Sequence, residues 1–259
     1  MQNNNTLLCK KIKKNTKSQN ELFSLNFLNY KMTKLKPSQT LVPNLKFIFE
    51  SDHHFYMLLE KYDSDLFTLI SNPHITFSIK MVLNTMDQLL TKLLTIHTCG
   101  IGHQDIKPEN ILVNYNNSFP KMTNKNDQYT KLSSEFVYTD FDSSCILMKY
   151  SNQGEFGTKI YRCPYYDKNN YDVEKADIYS LGKTFILLLT NGRYNVSKFI
   201  SPNESKIILE CYLSQVYPEL HVCQNDLIEL IIGMTNPNPK KRYKLTEIIS
   251  IIRICHEKI

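Results

Sequence analysis

One stretch of eleven residues, 103–113, constrains this chain more than any other part of it. It reads His-Gln-Asp-Ile-Lys-Pro-Glu-Asn-Ile-Leu-Val, so that Asp105, Lys107 and Asn110 share one short loop ahead of an apolar, strand-like run. A carboxylate there can accept a hydroxyl proton, an ammonium group can neutralise phosphate oxygens, and an amide oxygen can ligate magnesium. An ordinary polar loop before a strand is the alternative, which this specific spacing disfavours. The stretch therefore indicates phosphoryl-transfer chemistry.

The same stretch resembles the catalytic loop of the eukaryotic-type protein kinases, His-Arg-Asp-Leu-x-x-x-Asn. The resemblance implies that Asp105 and Lys107 are catalytic and that Asn110 holds magnesium. It also implies that His103 supports the loop and that Leu112 lines the nucleotide pocket.

Residues 6–14 alternate as a strand would, with Leu8, Lys10 and Ile12 on one face. A lysine between two apolar neighbours on an inner face needs an anionic partner, although it could instead extend past the strand edge into water. Leu-Leu-Cys-Lys is similar to the family's Val-Ala-Ile-Lys strand, which implies that Lys10 binds the first phosphates of the nucleotide. Glu21, in a short predicted helix, is then the partner of Lys10.

Two apolar runs, 45–49 and 55–59, are separated by four polar residues and predict an antiparallel hairpin. By resemblance, the hinge between two lobes follows at 60–62, where the Glu60 carbonyl and the Tyr62 N–H would bind adenine. Asp65 is either a helix N-cap, which we favour, or a ribose contact. Further on, helical periodicity over 77–99 predicts a long buried helix that leads to the catalytic loop.

A polar insert at about 114–134, rich in Asn, Lys, Ser and Thr, lacks periodicity and indicates a surface loop. A predicted strand over 136–139 then leads into Asp140-Phe141-Asp142. This triplet is similar to the family's Asp-Phe-Gly motif, which implies that Asp140 is the main magnesium ligand and that Phe141 supports it. Asp142 replaces a glycine, so the backbone there is less free and a negative charge is added beside the metal site.

Two more segments resemble family motifs. Residues 157–164, Gly-Thr-Lys-Ile-Tyr-Arg-Cys-Pro, are similar to Gly-Thr-x-x-Tyr-x-Ala-Pro-Glu, the segment that supports a peptide substrate, with Thr158 in a supporting role. Tyr165 stands where the family has a glutamate that pairs with a buried arginine, matched here by Arg242. Arg242 therefore needs another acceptor; without one, the C-terminal lobe would be less stable. Asp177 matches the aspartate that holds the catalytic loop, although a first-turn helix acid is the alternative.

Many members of the family carry an arginine before the catalytic aspartate, and this arginine pairs with a phosphate on the activation segment. Gln104 occupies that position and has no charge to offer. Phosphorylation of Ser143, Ser144 or Ser151 is therefore not expected to be needed to order the segment.

Composition and cysteine spacing limit which classes of protein this chain can belong to. No run of about 18 apolar residues occurs, the first residues lack the apolar core of a secretory signal, and the seven cysteines are scattered with no Cys-x-x-Cys pair. We therefore expect a cytoplasmic or nuclear protein with no membrane segment, zinc site or disulfide framework. Much of the net charge of +6 lies on lysines near the N-terminus. Solvated surface lysines explain these better than nucleic-acid binding does, so nucleic acid is not expected as a partner.

The resemblance runs from Lys10 to Arg242 and implies an α+β, two-lobed protein kinase-like fold. Residues 1–59 would form a partial N-terminal lobe with a reduced β-sheet, 60–62 the hinge, and 63–259 a mainly helical C-terminal lobe. Helices are predicted over 176–189, 205–216, 226–234 and 245–254.

Lys107 and the Gly157-Thr158 pair are similar to the Ser/Thr branch of the family, which implies transfer of phosphate from ATP, with Mg²⁺, to Ser/Thr hydroxyls of a protein substrate. The residues before Lys10 contain no glycine, so the family's glycine-rich loop is missing there and we expect weakened nucleotide binding. One alternative is a pseudokinase scaffold without catalysis. It is favoured by the missing loop, by Leu8 in place of the family's small residue over adenine, and by Asp142 in place of glycine. A small-molecule phosphotransferase is the other alternative.

Overall fold

The structure is a computed structural model that describes residues 6–35, 40–115, 134–147, 157–164, 172–194, 196 and 202–259. Within these ranges a three-stranded antiparallel sheet and one long helix form a small lobe, and the remaining, mainly helical elements form a large lobe. This architecture agrees with the expected α+β fold class. Most of the polar insert, together with Tyr165 and Ser151, lies outside the described residues.

The small lobe contains β1 (Leu7–Lys13), α1 (Thr16–Leu35), β2 (Leu45–Glu50) and β3 (His54–Glu60). The strand order is β1-β3-β2, and β3 pairs antiparallel with both neighbours, which confirms the predicted hairpin. The register places Lys10 opposite Met57, whose side chain is buried. Leu25 and Leu28 of α1 join Met57 and Leu59 in the core, so α1 covers one face of this sheet.

The prediction of a short helix around Glu21 was wrong in its length, because α1 has 20 residues. Its start is fixed by a reciprocal pair of hydrogen bonds. The Ser18 N–H donates to Asn15 Oδ1, and the Asn15 N–H donates to Ser18 Oγ, both at 2.9 Å. This exchange satisfies backbone donors at a helix start in the manner of a capping box. Lys34 lies in the last turn, where a cation suits the helix dipole.

The large lobe contains several short strands and six helices among the described residues: β4 (Ser64–Asp65), α2 (Leu66–Ser71), α3 (Ile79–Thr98), β5 (Ile101–Gly102), β6 (Ile111–Tyr115), β7 (Ser134–Tyr138), β8 (Cys145–Ile146), α4 (Val173–Leu189), α5 (Pro202–Val216), α6 (Gln224–Met234) and α7 (Leu245–Lys258). Most apolar residues of α3 recur with helical spacing and are buried, as its periodicity predicts, while Met81 and Leu94 are partly exposed. No helix in the described ranges has both the length and the apolar character needed to cross a membrane.

Helix caps explain where two helices begin. Asp65 Oδ1 accepts a hydrogen bond from the Thr68 N–H at 2.8 Å, which confirms Asp65 as the N-cap of α2. Asp172 caps α4 in the same way, by accepting from the Lys175 N–H at 3.0 Å. The cap at Asp172 starts α4 at Val173 rather than at the predicted residue 176.

Strand pairing brings the predicted functional segments together. The loop 103–110 lies between β5 and β6, and β6 pairs with β7 so that Ile111 is opposite Tyr138. The chain that leaves β7 is held against this loop, because the Thr139 N–H donates to the Asn110 carbonyl at 3.0 Å. Asp140, the next residue, is therefore adjacent to the loop that carries Asp105.

Candidate active site

Asp177, in α4, anchors the start of the loop. Its Oδ2 accepts from the His103 N–H at 2.8 Å and lies 2.9 Å from His97 Nε2, while its Oδ1 accepts from the Gln104 N–H at 2.8 Å. Asp177 is fully buried. Gln104 has φ 65°, a left-handed conformation that few residues other than glycine adopt, so the anchor holds a strained backbone. Gly157 approaches this turn so closely that a Cβ atom there would lie 2.4 Å from the Gln104 carbonyl oxygen.

Asp105 is held by four donors. Its Oδ1 accepts from the N–H and the hydroxyl of Thr158, at 2.7 and 2.9 Å. Its Oδ2 accepts from Lys107 Nζ at 2.8 Å and from Asn110 Nδ2 at 3.1 Å. Lys107 Nζ also donates to Thr158 Oγ1 at 2.9 Å. The structure thus unites three sequence-predicted residues around Asp105, and these contacts fix the direction of its carboxylate.

Asn110 and Asp140 each retain an oxygen that could bind a cation. Asn110 donates through Nδ2 to the Asp105 carbonyl at 2.9 Å, which leaves its amide oxygen available as an acceptor or a metal ligand. Asp140 accepts from Lys10 through Oδ1, and its side chain is 35% exposed. Mg²⁺ is commonly held by one or two protein oxygens together with phosphate oxygens and water, and this donor set fits that preference. The described residues contain no cluster of three His, Cys, Asp or Glu side chains suited to another metal.

Lys10 connects the small lobe to Asp140. Its Nζ donates to Glu21 Oε1 at 2.6 Å and to Asp140 Oδ1 at 3.0 Å. Burial alone would lower the pKa of Lys10, but the two carboxylates outweigh it and the pKa is raised. Glu21 is almost fully buried, and this burial raises the pKa of its carboxyl group although Lys10 opposes the shift. Lys10 therefore has the anionic partners that its place in the strand predicts, and it does not take the alternative course past the strand edge into water.

His103 and Phe141 form the packed support behind the loop. Their rings lie 4.6 Å apart, and both residues are fully buried. His103 Nε2 lies 3.0 Å from the Thr139 carbonyl, which ties the ring to the segment that precedes Asp140. Asp140 itself has φ 64°, so packing on Phe141 helps to hold an uncommon backbone conformation.

The three residues predicted to line the nucleotide pocket, of which Glu60 and Tyr62 would bind adenine, lie where the small and large lobes meet. Glu60 ends β3 and donates its N–H to the Asn44 carbonyl at 3.0 Å. Tyr62 is buried, and no hydrogen bond among the described residues engages its N–H. Leu112 lies in β6, opposite Asp65 and partly exposed.

Arg242 is buried and finds acceptors other than a carboxylate. Its guanidinium donates to the carbonyls of Asn236 (2.6 Å), Lys175 (2.8 Å) and Pro237 (2.8 Å). A fourth bond, 2.6 Å long, reaches the sulfur of Cys163.

The Arg242 guanidinium also lies over the Tyr179 ring, 5.0 Å from its centroid. These contacts supply the acceptors that Arg242 needs, because position 165 carries a tyrosine instead of the family's glutamate. This buried cation is hydrogen-bonded on several sides.

Sequence reasoning missed two of these contacts. The periodicity over 77–99 gave His97 no role beyond its place in the helix, yet its ring reaches Asp177; a polar residue on an otherwise apolar helical stripe was the available signal. Cys163 gave no signal, because its contact with Arg242 joins residues 79 positions apart.

Comparison with known proteins identifies the family. The protein kinase domain family matches residues 1–251. The chain belongs to the protein kinase family. The kinase cds1 of Schizosaccharomyces pombe, a serine/threonine-protein kinase, is 31% identical over 218 residues, which cover 77% of this chain and 41% of that protein. The serine/threonine-protein kinase PknA of a Nostoc species is 27% identical over 179 residues, 69% of this chain and 30% of that protein.

A third relative, a probable serine/threonine-protein kinase of Dictyostelium discoideum, is 32% identical over 120 residues, 44% of this chain and 10% of that protein. This kinase chain therefore spans less than half the length of these relatives. The family generally uses ATP and Mg²⁺, and the hard oxygen donors of the site agree with that.

Proposed function

We propose that this chain transfers the γ-phosphoryl group of ATP, with Mg²⁺, to serine or threonine hydroxyls of a protein substrate. One observation carries the proposal. Lys10 is bonded to both Glu21 and Asp140, and Asp140 is linked through the backbone of Thr139 to the loop that carries Asp105. Such a connected set supplies the positioning and charge compensation on which phosphoryl transfer depends.

Each group has a role that its contacts support. Asp105 orients the substrate hydroxyl and accepts its proton, because Lys107 and Thr158 fix the direction of its carboxylate. Lys107 also offsets negative charge that develops on the phosphoryl oxygens. Asn110 and Asp140 would hold Mg²⁺, which when bound neutralises phosphate charge. Lys10, oriented by its ion pair with Glu21, contacts the first phosphates.

Nucleotide binding by this polypeptide is expected to be weak. Glu60, Tyr62 and Leu112 supply an adenine site at the junction of the lobes, and Lys10 supplies a phosphate contact. The described residues before Lys10 belong mostly to β1, so they form no loop of backbone N–H groups over the phosphates. Open phosphates allow water to weaken each electrostatic contact, which favours slow turnover and a share of ATP hydrolysis.

The test compares the 259-residue chain with Asp105→Asn, a nearly isosteric change that removes the proton acceptor. We expect transfer to a generic protein substrate to fall about 100-fold or more, with the fold intact by circular dichroism. Asp226→Asn, at an exposed aspartate of α6, is the matched control and should keep parental activity. Equal turnover of parent and Asp105→Asn would refute the assignment.

Calorimetric titration of ATP separates the outcomes. Weak binding that requires Mg²⁺, and that weakens further in Asp140→Ala and Lys10→Ala, is the expected result. Tight binding with brisk phosphorylation would show that the proposed weakness is wrong. A folded chain with no detectable binding, with or without Mg²⁺, would favour a pseudokinase scaffold instead.

A further inference from the structure

A buried pair of hydroxyl groups joins helix α1 to the segment after Asp140-Phe141-Asp142. Ser24 Oγ lies 2.7 Å from Ser144 Oγ, and Ser144 Oγ lies 2.6 Å from the carbonyl oxygen of Phe141. A carbonyl only accepts hydrogen bonds, so the Ser144 proton points at Phe141 and the Ser24 proton points at Ser144. The result is a directed relay of two hydrogen bonds from α1 to the backbone beside Asp140.

The relay connects the same two elements that Lys10 connects. Ser24 follows Glu21 by three positions, so both residues lie on one face of α1, and both are buried. Phe141 directly follows Asp140. The Lys10 side chain is 30% exposed, whereas Ser24 and Ser144 are 3% and 4% exposed. A buried bond is less weakened by solvent, so the relay is the better protected of the two connections.

We propose that Ser24 and Ser144 are positioning residues that hold α1 and the Asp140 segment in the arrangement that unites Lys10, Glu21 and Asp140. The kinetic consequence rests on the proposed function. Loss of one hydroxyl leaves the other buried without its partner and makes the assembled arrangement less populated. Because nucleotide binds the assembled arrangement, its apparent affinity falls by the lost fraction, whereas saturating nucleotide restores the arrangement.

The burial of Ser144 also distinguishes the relay from a phosphorylation switch. A hydroxyl that is 4% exposed and bonded on both sides is not presented to another kinase in this arrangement. The relay therefore acts as a fixed connection between α1 and the Asp140 segment.

The test uses Ser24→Ala, Ser144→Ala and the double variant in the full chain. Ser134→Ala is the matched control, because Ser134 is similarly buried and its hydroxyl has no hydrogen-bond partner in the part of the chain that the structure describes. Two readouts are measured: amide hydrogen exchange of α1 without nucleotide, and the KM and kcat for Mg-ATP. We expect exchange in α1 to rise about tenfold and KM to rise about tenfold, with kcat nearly unchanged. The double variant should resemble the single ones, because the relay acts as one unit.

Helix propensity cannot imitate the expected result. Alanine favours helix more than serine does, so faster α1 exchange in Ser24→Ala cannot come from helix propensity. Unchanged exchange in Ser24→Ala, as in Ser134→Ala, would overturn the proposal, and so would a loss of kcat with unchanged KM.

If Ser144→Ala fails to fold, Ser24→Ala decides alone. If the parent chain shows no turnover, faster exchange in Ser24→Ala still supports the relay while the proposed function fails.

Discussion

Replacing Asp177 with alanine should destabilise this kinase domain more than most single substitutions would. The side chain is fully buried and takes part in three hydrogen bonds, with the backbone N–H groups of His103 and Gln104 and with the ring of His97. Alanine accepts none of them, and burial keeps water from replacing the lost acceptor. The two N–H groups begin the loop that carries Asp105, so the damage is centred on the candidate active site.

The magnitude follows from the orphaned donors. A buried neutral donor left without an acceptor costs about 1–3 kcal/mol. Two backbone donors and one ring nitrogen give a loss of about 4 kcal/mol in the free energy of unfolding. For a chain of this size each kcal/mol lowers Tm by about 2–4 °C, so a fall of about 10 °C is expected. Gln104 adds to the effect, because its left-handed backbone loses the bond that holds it.

Urea unfolding followed by circular dichroism measures this loss. Asp172→Ala is the matched control, since Asp172 is an exposed aspartate that caps the same helix and accepts one hydrogen bond. Loss of that cap should cost only about 1 kcal/mol. Asp177→Asn should fall between the two, because its amide keeps one acceptor oxygen and turns a donor towards the other N–H. A loss for Asp177→Ala no larger than that for Asp172→Ala would refute the reasoning.

Three further predictions concern other parts of the molecule. Burial lowers the pKa of Lys92 to about 8, with Glu135 opposing the shift, so the unfolded chain binds more protons between pH 8 and 10.5 and stability should rise with pH there. Urea unfolding at pH 7.5 and 9.5 should show a larger gain in the parent than in Lys92→Met, in which Lys183, whose pKa burial also lowers to about 8, still contributes. Arg242→Met should cost about 3 kcal/mol in unfolding free energy by leaving several acceptors unpaired, a loss that Arg242→Lys only partly avoids. Finally, phosphatase treatment should leave activity unchanged, because Gln104 offers no cation to a phosphate on Ser143, Ser144 or Ser151, and Ser143 and Ser144 are also buried. A large loss that rephosphorylation of these serines restores would contradict this.

Local patterns predicted the elements whose periodicity is strong. The hairpin of β2 and β3 and the long helix α3 both follow from the placement of their apolar residues, although only in α3 does the apolar spacing match a largely buried face. The length of α1 did not follow, because its sequence has weak amphipathic character and its start depends on the reciprocal bonds of Asn15 and Ser18. The start of α4 depends in the same way on one cap, Asp172.

In the candidate site, too, contacts between residues close in sequence were predictable, whereas contacts between distant residues were not. Lys107 and Asn110 lie within five residues of Asp105, so spacing alone indicated that these side chains lie close together. The pairing of Lys10 with Glu21 could be proposed only through the family resemblance, because strand and helix must first be placed. The contact between Ser24 and Ser144 joins residues 120 positions apart and required the folded structure.

The surroundings of Arg242 show how a buried cation can be stabilised without a carboxylate among the described residues. Four of the five N–H donors of a guanidinium are used, on three carbonyl oxygens and one sulfur, and an aromatic ring covers its face. The hydrogen bonds satisfy these four donors, and the carbonyl dipoles together with the ring offset part of the positive charge of the guanidinium. A guanidinium presents five N–H donors in a fixed planar arrangement, whereas a lysine ammonium presents three on a flexible stem. Three of these four acceptors are backbone carbonyls whose positions the adjacent turns fix, so a tyrosine at position 165 does not leave the buried cation without partners.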